Sequence, residues 1–254
     1  MHDNSKAAIS KVPEITLAFW VIKILATTLG ETGGDAVSMS MELGYLVSTG
    51  IFAVIFFVSV SAQIAATSYN PLLYWTTIIA TTTVGTTLAD FVDRSLGLGY
   101  AGGSTLLLAL LMGSFLLWYR LQGSISTPRT ELFYWVTIMF SQTLGTALGD
   151  WIADEAGFGY AGSTLLFGGM LAAIIAAYYL TRVSRTLLFW AAFILTRPLG
   201  AVVGDFLDKP LSKGGLELSR YSASFALLAA IATLVLISTL RNLQPVRAEL
   251  DIEQ

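Results

Sequence analysis

A tryptophan followed at the tenth residue by glycine and at the fifteenth by aspartate occurs four times in this chain of 254 residues: Trp20/Gly30/Asp35, Trp75/Gly85/Asp90, Trp135/Gly145/Asp150 and Trp190/Gly200/Asp205. The segments around them, FWVIKILATTLGETGGD, YWTTIIATTTVGTTLAD, YWVTIMFSQTLGTALGD and FWAAFILTRPLGAVVGD, align without gaps. Recurrence at a long, regular period means that one supersecondary unit is built again and again and buries its apolar face against its neighbours. A second segment follows each copy. GYLVSTG from Gly44, GYAGGST from Gly99 and GYAGSTL from Gly159 align, and the fourth copy carries six extra residues before the similar YSAS from Tyr221.

With 55% hydrophobic and 12% charged residues, the composition falls outside the range of soluble domains. Apolar stretches of the ~20 residues needed to cross a hydrocarbon core lie at roughly 15–38, 44–66, 72–93, 98–119, 132–153, 159–180, 187–208 and 221–240. The expected fold is an all-α membrane protein of eight transmembrane helices, made from four tandem parallel two-helix repeats at approximately 15–70, 71–130, 131–185 and 186–242. Residues 243–254 are expected to form a polar cytoplasmic tail. The polar start before the first span does not have the layout of a cleaved signal peptide, so the first helix is expected to be retained. Two helices per unit send every unit into the bilayer from the same side, which suggests a ring or two paired halves about an axis along the membrane normal. Lys6, Lys11, Arg120, Arg129, Arg182, Arg185, Arg241 and Arg247 would share the face of the termini, against Arg94, Lys209, Lys213 and Arg220 on the other. By the positive-inside rule, both termini are expected in the cytoplasm.

The repeated Trp-to-Asp spacing, with two helices per unit and four tandem units, resembles a family of bacterial membrane proteins known mainly as a repeat of unknown function. The resemblance covers nearly the whole chain. It implies architecture and a bacterial inner-membrane setting, and carries no activity with it.

On a helix advancing about 100° per residue, the positions seven, eight, eleven and fifteen after each tryptophan fall on one face with it. That face holds Thr27, Thr28, Glu31 and Asp35 in the first unit and Thr82, Thr83, Thr86 and Asp90 in the second. In the third it holds Gln142, Thr143, Thr146 and Asp150, and in the fourth Arg197 and Asp205, while Lys23 borders it. Charges inside spans are costly and face a bundle interior or a watery cavity. Lys23, Glu31, Asp35, Asp90, Asp150, Arg197 and Asp205 therefore need an interior to share, with Glu31 and Arg197 as a plausible internal ion pair. The aspartates could instead face the outer interface or cap the following turn. Small-xxx-small pairs such as Gly30/Gly34 and Gly200/Gly204 suit close helix packing, the alternative being local unwinding that exposes carbonyls to an ion. Pro198 is expected to kink or break its helix. The tryptophans, with Tyr45, Tyr100 and Tyr160, are expected in aromatic belts, although the tyrosine hydroxyls could line a vestibule. Most Ser and Thr hydroxyls are expected to bond to backbone carbonyls or to another helix.

With no cysteine and a single histidine, His2 in the tail, thiolate metal ligation, disulfides and histidine catalysis are excluded. A net charge of −3 without basic clusters argues against nucleic acid. No phosphate loop, dinucleotide motif or zinc-protease helix is found, so no cofactor and no enzyme are expected. An intramembrane aspartyl dyad needs a close carboxyl pair, whereas these aspartates belong to separate units. The expected partners are the lipid bilayer and a small cation or proton. Asp35, Asp90, Asp150 and Asp205 would supply hard oxygen ligands for Mn²⁺, Mg²⁺, Ca²⁺ or a proton, with Glu31 deeper in the path. Four carboxylates suit a gated site better than an open pore, because tight binding slows exit. Secondary transport, with export favoured, is therefore the first expectation. The alternatives are an organic-solute or drug transporter with Lys23, Glu31 and Arg197 as selectors, and a non-transporting scaffold or sensor. Complete sealing of the acids in ion pairs would favour the last.

Overall fold

In a computed structural model, which describes residues 13–120 and 128–252, the chain forms eight long α-helices, with no strand among the described residues. They are α1 (Leu17–Asp35), α2 (Gly44–Ala65), α3 (Pro71–Asp90), α4 (Gly99–Arg120), α5 (Pro128–Asp150), α6 (Gly159–Leu180), α7 (Arg185–Asp208) and α8 (Arg220–Ile252). Lys6, Lys11 and His2 lie outside the described residues, as does linker 121–127. Helix starts follow local chemistry. The Thr16 hydroxyl accepts from Phe19 N at 3.3 Å, and the Asn70 side chain accepts from Leu73 N at 3.1 Å with Pro71 at the first helical position.

The odd-numbered helices form an inner ring in which α1 packs on α3, α3 on α5, α5 on α7 and α7 on α1. The even-numbered helices clad that ring from outside. Each packs against the first helix of the next unit: α2 on α3, α4 on α5, α6 on α7 and, closing the circle, α8 on α1. The outer helices expose large apolar side chains such as Val54, Phe57, Leu116, Leu165, Phe225 and Leu236. A continuous apolar cladding of this kind belongs in lipid rather than in water. Five helices, α2, α4, α6, α7 and the 220–241 part of α8, are long and apolar enough to cross a membrane. The other three, α1, α3 and α5, are of comparable length but carry the threonines, glycines and acids of the polar face.

α7 runs unbroken through Pro198, so the expected break does not occur. Its neighbour fits around the proline, because α5 presents Gly145 and Gly149 to it. α8 continues through most of the segment expected as a tail. After each of Asp35, Asp90 and Asp150 the chain widens into a π-helical turn, at Ala36–Ser40, Phe91–Ser95 and Trp151–Glu155. Left-handed residues then reverse it, Gly97 and Gly99 at φ 68° and 65° in the second unit, where only glycine is unstrained. The fourth unit replaces this turn with a connection six residues longer, which holds a short 3₁₀ turn at Leu211–Lys213.

Candidate functional site: four aspartates and their bridging bases

The repeat glycines explain how polar side chains are brought to one axis. A Cβ on Gly30 would lie 2.6 Å from Thr82 Cβ, on Gly85 3.1 Å from Gln142 Cβ, on Gly145 2.5 Å from Arg197 Cγ, and on Gly200 2.5 Å from Thr27 Cβ. Each glycine thus seats the residue seven after the tryptophan of the next unit, round the full ring. A turn further on, Gly34 seats Thr86, Gly149 seats Ala201 and Gly204 seats Glu31 in the same way. The glycines serve close packing within continuous helices, as small residues do between membrane helices. Hydroxyls reinforce two seams: Thr82 donates to Ala26 O at 3.2 Å and Thr27 to Thr196 O at 3.0 Å. Most other helix threonines donate to carbonyls three or four residues back, such as Thr83 to Ile79 O at 2.8 Å.

Along the axis the inner helices present successive layers. At one end Trp75 and Trp135 are buried against Phe19 and Tyr74, with Trp20 and Trp190 partly buried beside them. The tryptophans therefore close the bundle instead of forming a belt around it, because they lie on the same helix face as the aspartates. Next comes Lys23, fully buried, its Nζ 4.1 Å from the Phe193 ring centre and without a hydrogen-bond partner. Beyond it Arg197, also fully buried, reaches across the ring. Its Nη2 lies 3.2 Å from Glu31 Oε2, donates to Thr86 Oγ1 at 2.6 Å and contacts Thr146, while Nη1 donates to Thr27 O at 3.4 Å. The expected Glu31–Arg197 pair is present, tied to all four inner helices.

The four aspartates form the last layer, all at most 3% exposed. None of Asp35, Asp90 and Asp150 makes a capping hydrogen bond. Two bases bridge them instead. Lys209 Nζ lies 2.6 Å from Asp35 Oδ2 and 2.9 Å from Asp205 Oδ1, and Arg94 lies 3.1 Å from Asp90 Oδ1 and 3.5 Å from Asp150 Oδ2. Burial alone would lower the Lys209 ammonium, but Asp205, Asp35 and Asp208 outweigh it and hold it well above its ordinary value. Each base stands four residues after its own unit's aspartate and reaches the aspartate of the next unit. The matching positions in the first and third units are Met39 and Asp154, so bases stand only in alternate units of the ring. Arg220 pairs with Asp208 at 3.0 Å and also stands 3.7 Å from Asp35 Oδ2.

Sequence reasoning counted Arg94 and Lys209 only as loop charges; the spacing Asp90–Arg94 and Asp205–Lys209 was the signal. Beyond these bases opens a cavity of about 560 Å³, lined by Tyr45, Tyr100, Asp154, Tyr160, Lys213 and Arg220 among others. The tyrosines thus line a vestibule and not a belt. Tyr45 and Tyr100 accept from Arg94 at 3.1 and 3.3 Å, and Tyr100 and Tyr160 donate to Asp154 at 2.8 and 3.1 Å. Carboxylate oxygens of Glu31, Asp35 and Asp205 lie within 4.8 Å of one another, the one such acidic group among the described residues with metal-ligand spacing. These are hard oxygen donors at a separation that a single cation could span.

A ring of polar inner helices clad by apolar outer ones, with charges gathered on its axis, defines a helical membrane protein of internally repeated design. The chain belongs to the Repeat of Unknown Function family DUF347, whose model matches residues 18–69, 73–124, 133–184 and 188–243. Comparison with curated proteins and with solved structures gives no match.

Proposed function

We propose that the protein is a secondary transporter, working as an exporter, for a small cation held between the repeats by Asp35, Asp90, Asp150, Asp205 and Glu31. In this reading all eight helices cross a bacterial inner membrane, the three polar inner ones shielded from lipid by the outer ones, and both termini face the cytoplasm. The observation that carries it is a charge imbalance in the buried axis. Six buried carboxylates, those of Asp35, Asp90, Asp150, Asp205, Asp208 and Glu31, stand against four bases that touch them, Lys209, Arg94, Arg197 and Arg220. Even with Lys23, buried on the same axis, counted as a fifth base, a negative charge is left for a mobile cation or proton to neutralise, because unpaired buried charge is strongly disfavoured. Asp35 Oδ1, Asp90 Oδ2 and Asp150 Oδ1 are buried without hydrogen-bond partners, open to such ligands. The vestibule leads towards the acids from one end, and the aromatic layer closes the other. That arrangement suits a state open to one side.

A second reading, a scaffold or sensor without flux, is favoured by the Glu31–Arg197 pair and by the base on every aspartate. Flux in proteoliposomes decides between them. A panel of mono- and divalent cations, with an internal pH dye, is applied to wild type, Glu31→Gln and the four Asp→Asn variants. Cation-selective flux that disappears in folded variants is expected; no flux of any cation through folded wild type would sink the transporter reading for cations.

A further inference from the structure

We propose that Lys209 is a tethered cation that holds the place of the cargo, and that a hard divalent cation binds at Glu31, Asp35 and Asp205 when the Lys209 side chain swings out into the vestibule. This rests on the reading of the acidic axis as a cation site and names how that site is filled at rest. Oxygens of these three carboxylates approach within 4.8 Å of one another, and all three residues are buried. A divalent ion with oxygen ligands at about 2.1–2.5 Å can bridge donors spaced in this way. The amine of Lys209 already sits against two of the three, and Asp35, fully buried, keeps Oδ1 without a hydrogen-bond partner. Lys209 thus bridges two members of the cage, Arg197 holds Glu31 Oε2 and Arg220 stands 3.7 Å from Asp35 Oδ2, while Asp35 Oδ1 has no hydrogen-bond partner.

The backbone at Lys209 is fixed while its side chain has somewhere to go. Lys209 follows directly on α7, and its carbonyl accepts from Glu217 N at 2.9 Å. Leu216 N donates to Phe206 O at 2.7 Å and Leu218 N to Leu207 O at 2.8 Å, which straps the loop to the end of α7. Gly215 lies so close that a Cβ there would come 2.7 Å from the Lys209 carbonyl carbon. These contacts are made within the connection that is six residues longer in the fourth unit, so the longer loop anchors the one lysine among the bridging bases. The Lys209 side chain also lines the vestibule, so it faces the acids on one side and a water-sized space on the other. A flexible ammonium suits such an exchange better than a forked guanidinium, which is the role Arg94 keeps in the opposite half of the ring.

The test is Mn²⁺ binding to the purified full-length protein in detergent, followed by electron paramagnetic resonance and by the thermal unfolding midpoint. Lys209→Ala is expected to bind Mn²⁺ at least tenfold more tightly than wild type, with Mn²⁺ restoring the midpoint lost with the amine. Adding Glu31→Gln is expected to remove that gain. Lys209→Gln, which removes the charge but can still hydrogen-bond to the acids, provides a second background should Lys209→Ala fail to fold; it too is expected to bind Mn²⁺ more tightly than wild type. Mn²⁺ affinity equal to wild type in Lys209→Ala or Lys209→Gln, whichever folds, would overturn the proposal, since Lys209 would then be a permanent counter-ion. Cation flux through wild type without tighter binding in the variants would sink this inference alone. Tighter binding without flux would leave it standing and sink the transporter reading.

Discussion

Gly200, in the last inner helix, packs so closely on Thr27, in the first, that a single added methyl would meet its Cβ at 2.5 Å. The contact repeats the one between Gly30 and Thr82 and so closes the ring with the same geometry that opens it.

Gly200→Val is therefore expected to destabilise the bundle by about 1–3 kcal/mol through overpacking, well beyond any small gain in helix propensity. Gly168→Val, on α6 with no neighbouring atom within 4 Å, is expected to leave stability unchanged. Thermal unfolding in detergent, followed by size-exclusion fluorescence, separates the two; equal behaviour would show that the seam is looser than described.

Removing one member of the Glu31–Arg197 pair strands the other inside the bundle. Arg197→Met is expected to cost about 3–5 kcal/mol, and Glu31→Gln/Arg197→Met to recover much of that loss. A double-mutant cycle on unfolding measures the coupling. Additive effects would mean that Arg197 is held by Thr86 and Thr146 rather than by charge.

Because the sequence contains no cysteine, single introduced thiols report topology cleanly. Lys213→Cys at the vestibule and Arg182→Cys between α6 and α7 are expected to react with a membrane-impermeant maleimide from opposite sides, Lys213→Cys from outside. Labelling of both from one side would contradict the parallel arrangement of the units.

Much of this architecture was legible in the residues. The Trp-to-Asp spacing set the repeats, and the helical projection put Thr27, Glu31 and Asp35 on one inward face. It also made Glu31 and Arg197 partners, because a buried charge needs one. What stayed hidden depended on which helix touches which. A repeat period identifies the unit but not its neighbour, so nothing in the pattern told that α2 would leave α1 to pack on α3. The bridging role of Lys209 was hidden for the same reason, since its contact with Asp35 joins the fourth unit to the first. The tyrosines and tryptophans were misread because an amphipathic ring at a helix end suits a lipid interface and a bundle axis equally well. The face that the tryptophans share with the aspartates, and the tyrosine contacts with Arg94 and Asp154, distinguish the two.

The handing of every second helix to the following unit also bears on how such a chain could arise and vary. A lone pair of helices has no completed interface within itself, so an ancestral single unit could have reached this packing only as four separate copies meeting around an axis. Once fused, the array leaves no room in its ring for a further duplication, because α1 already fills the place beside α7 and under α8 that a ninth helix would take. Copy number is thereby capped by geometry, and divergence is left to single positions such as Met39, Arg94, Asp154 and Lys209, where formerly equivalent residues have taken different charges.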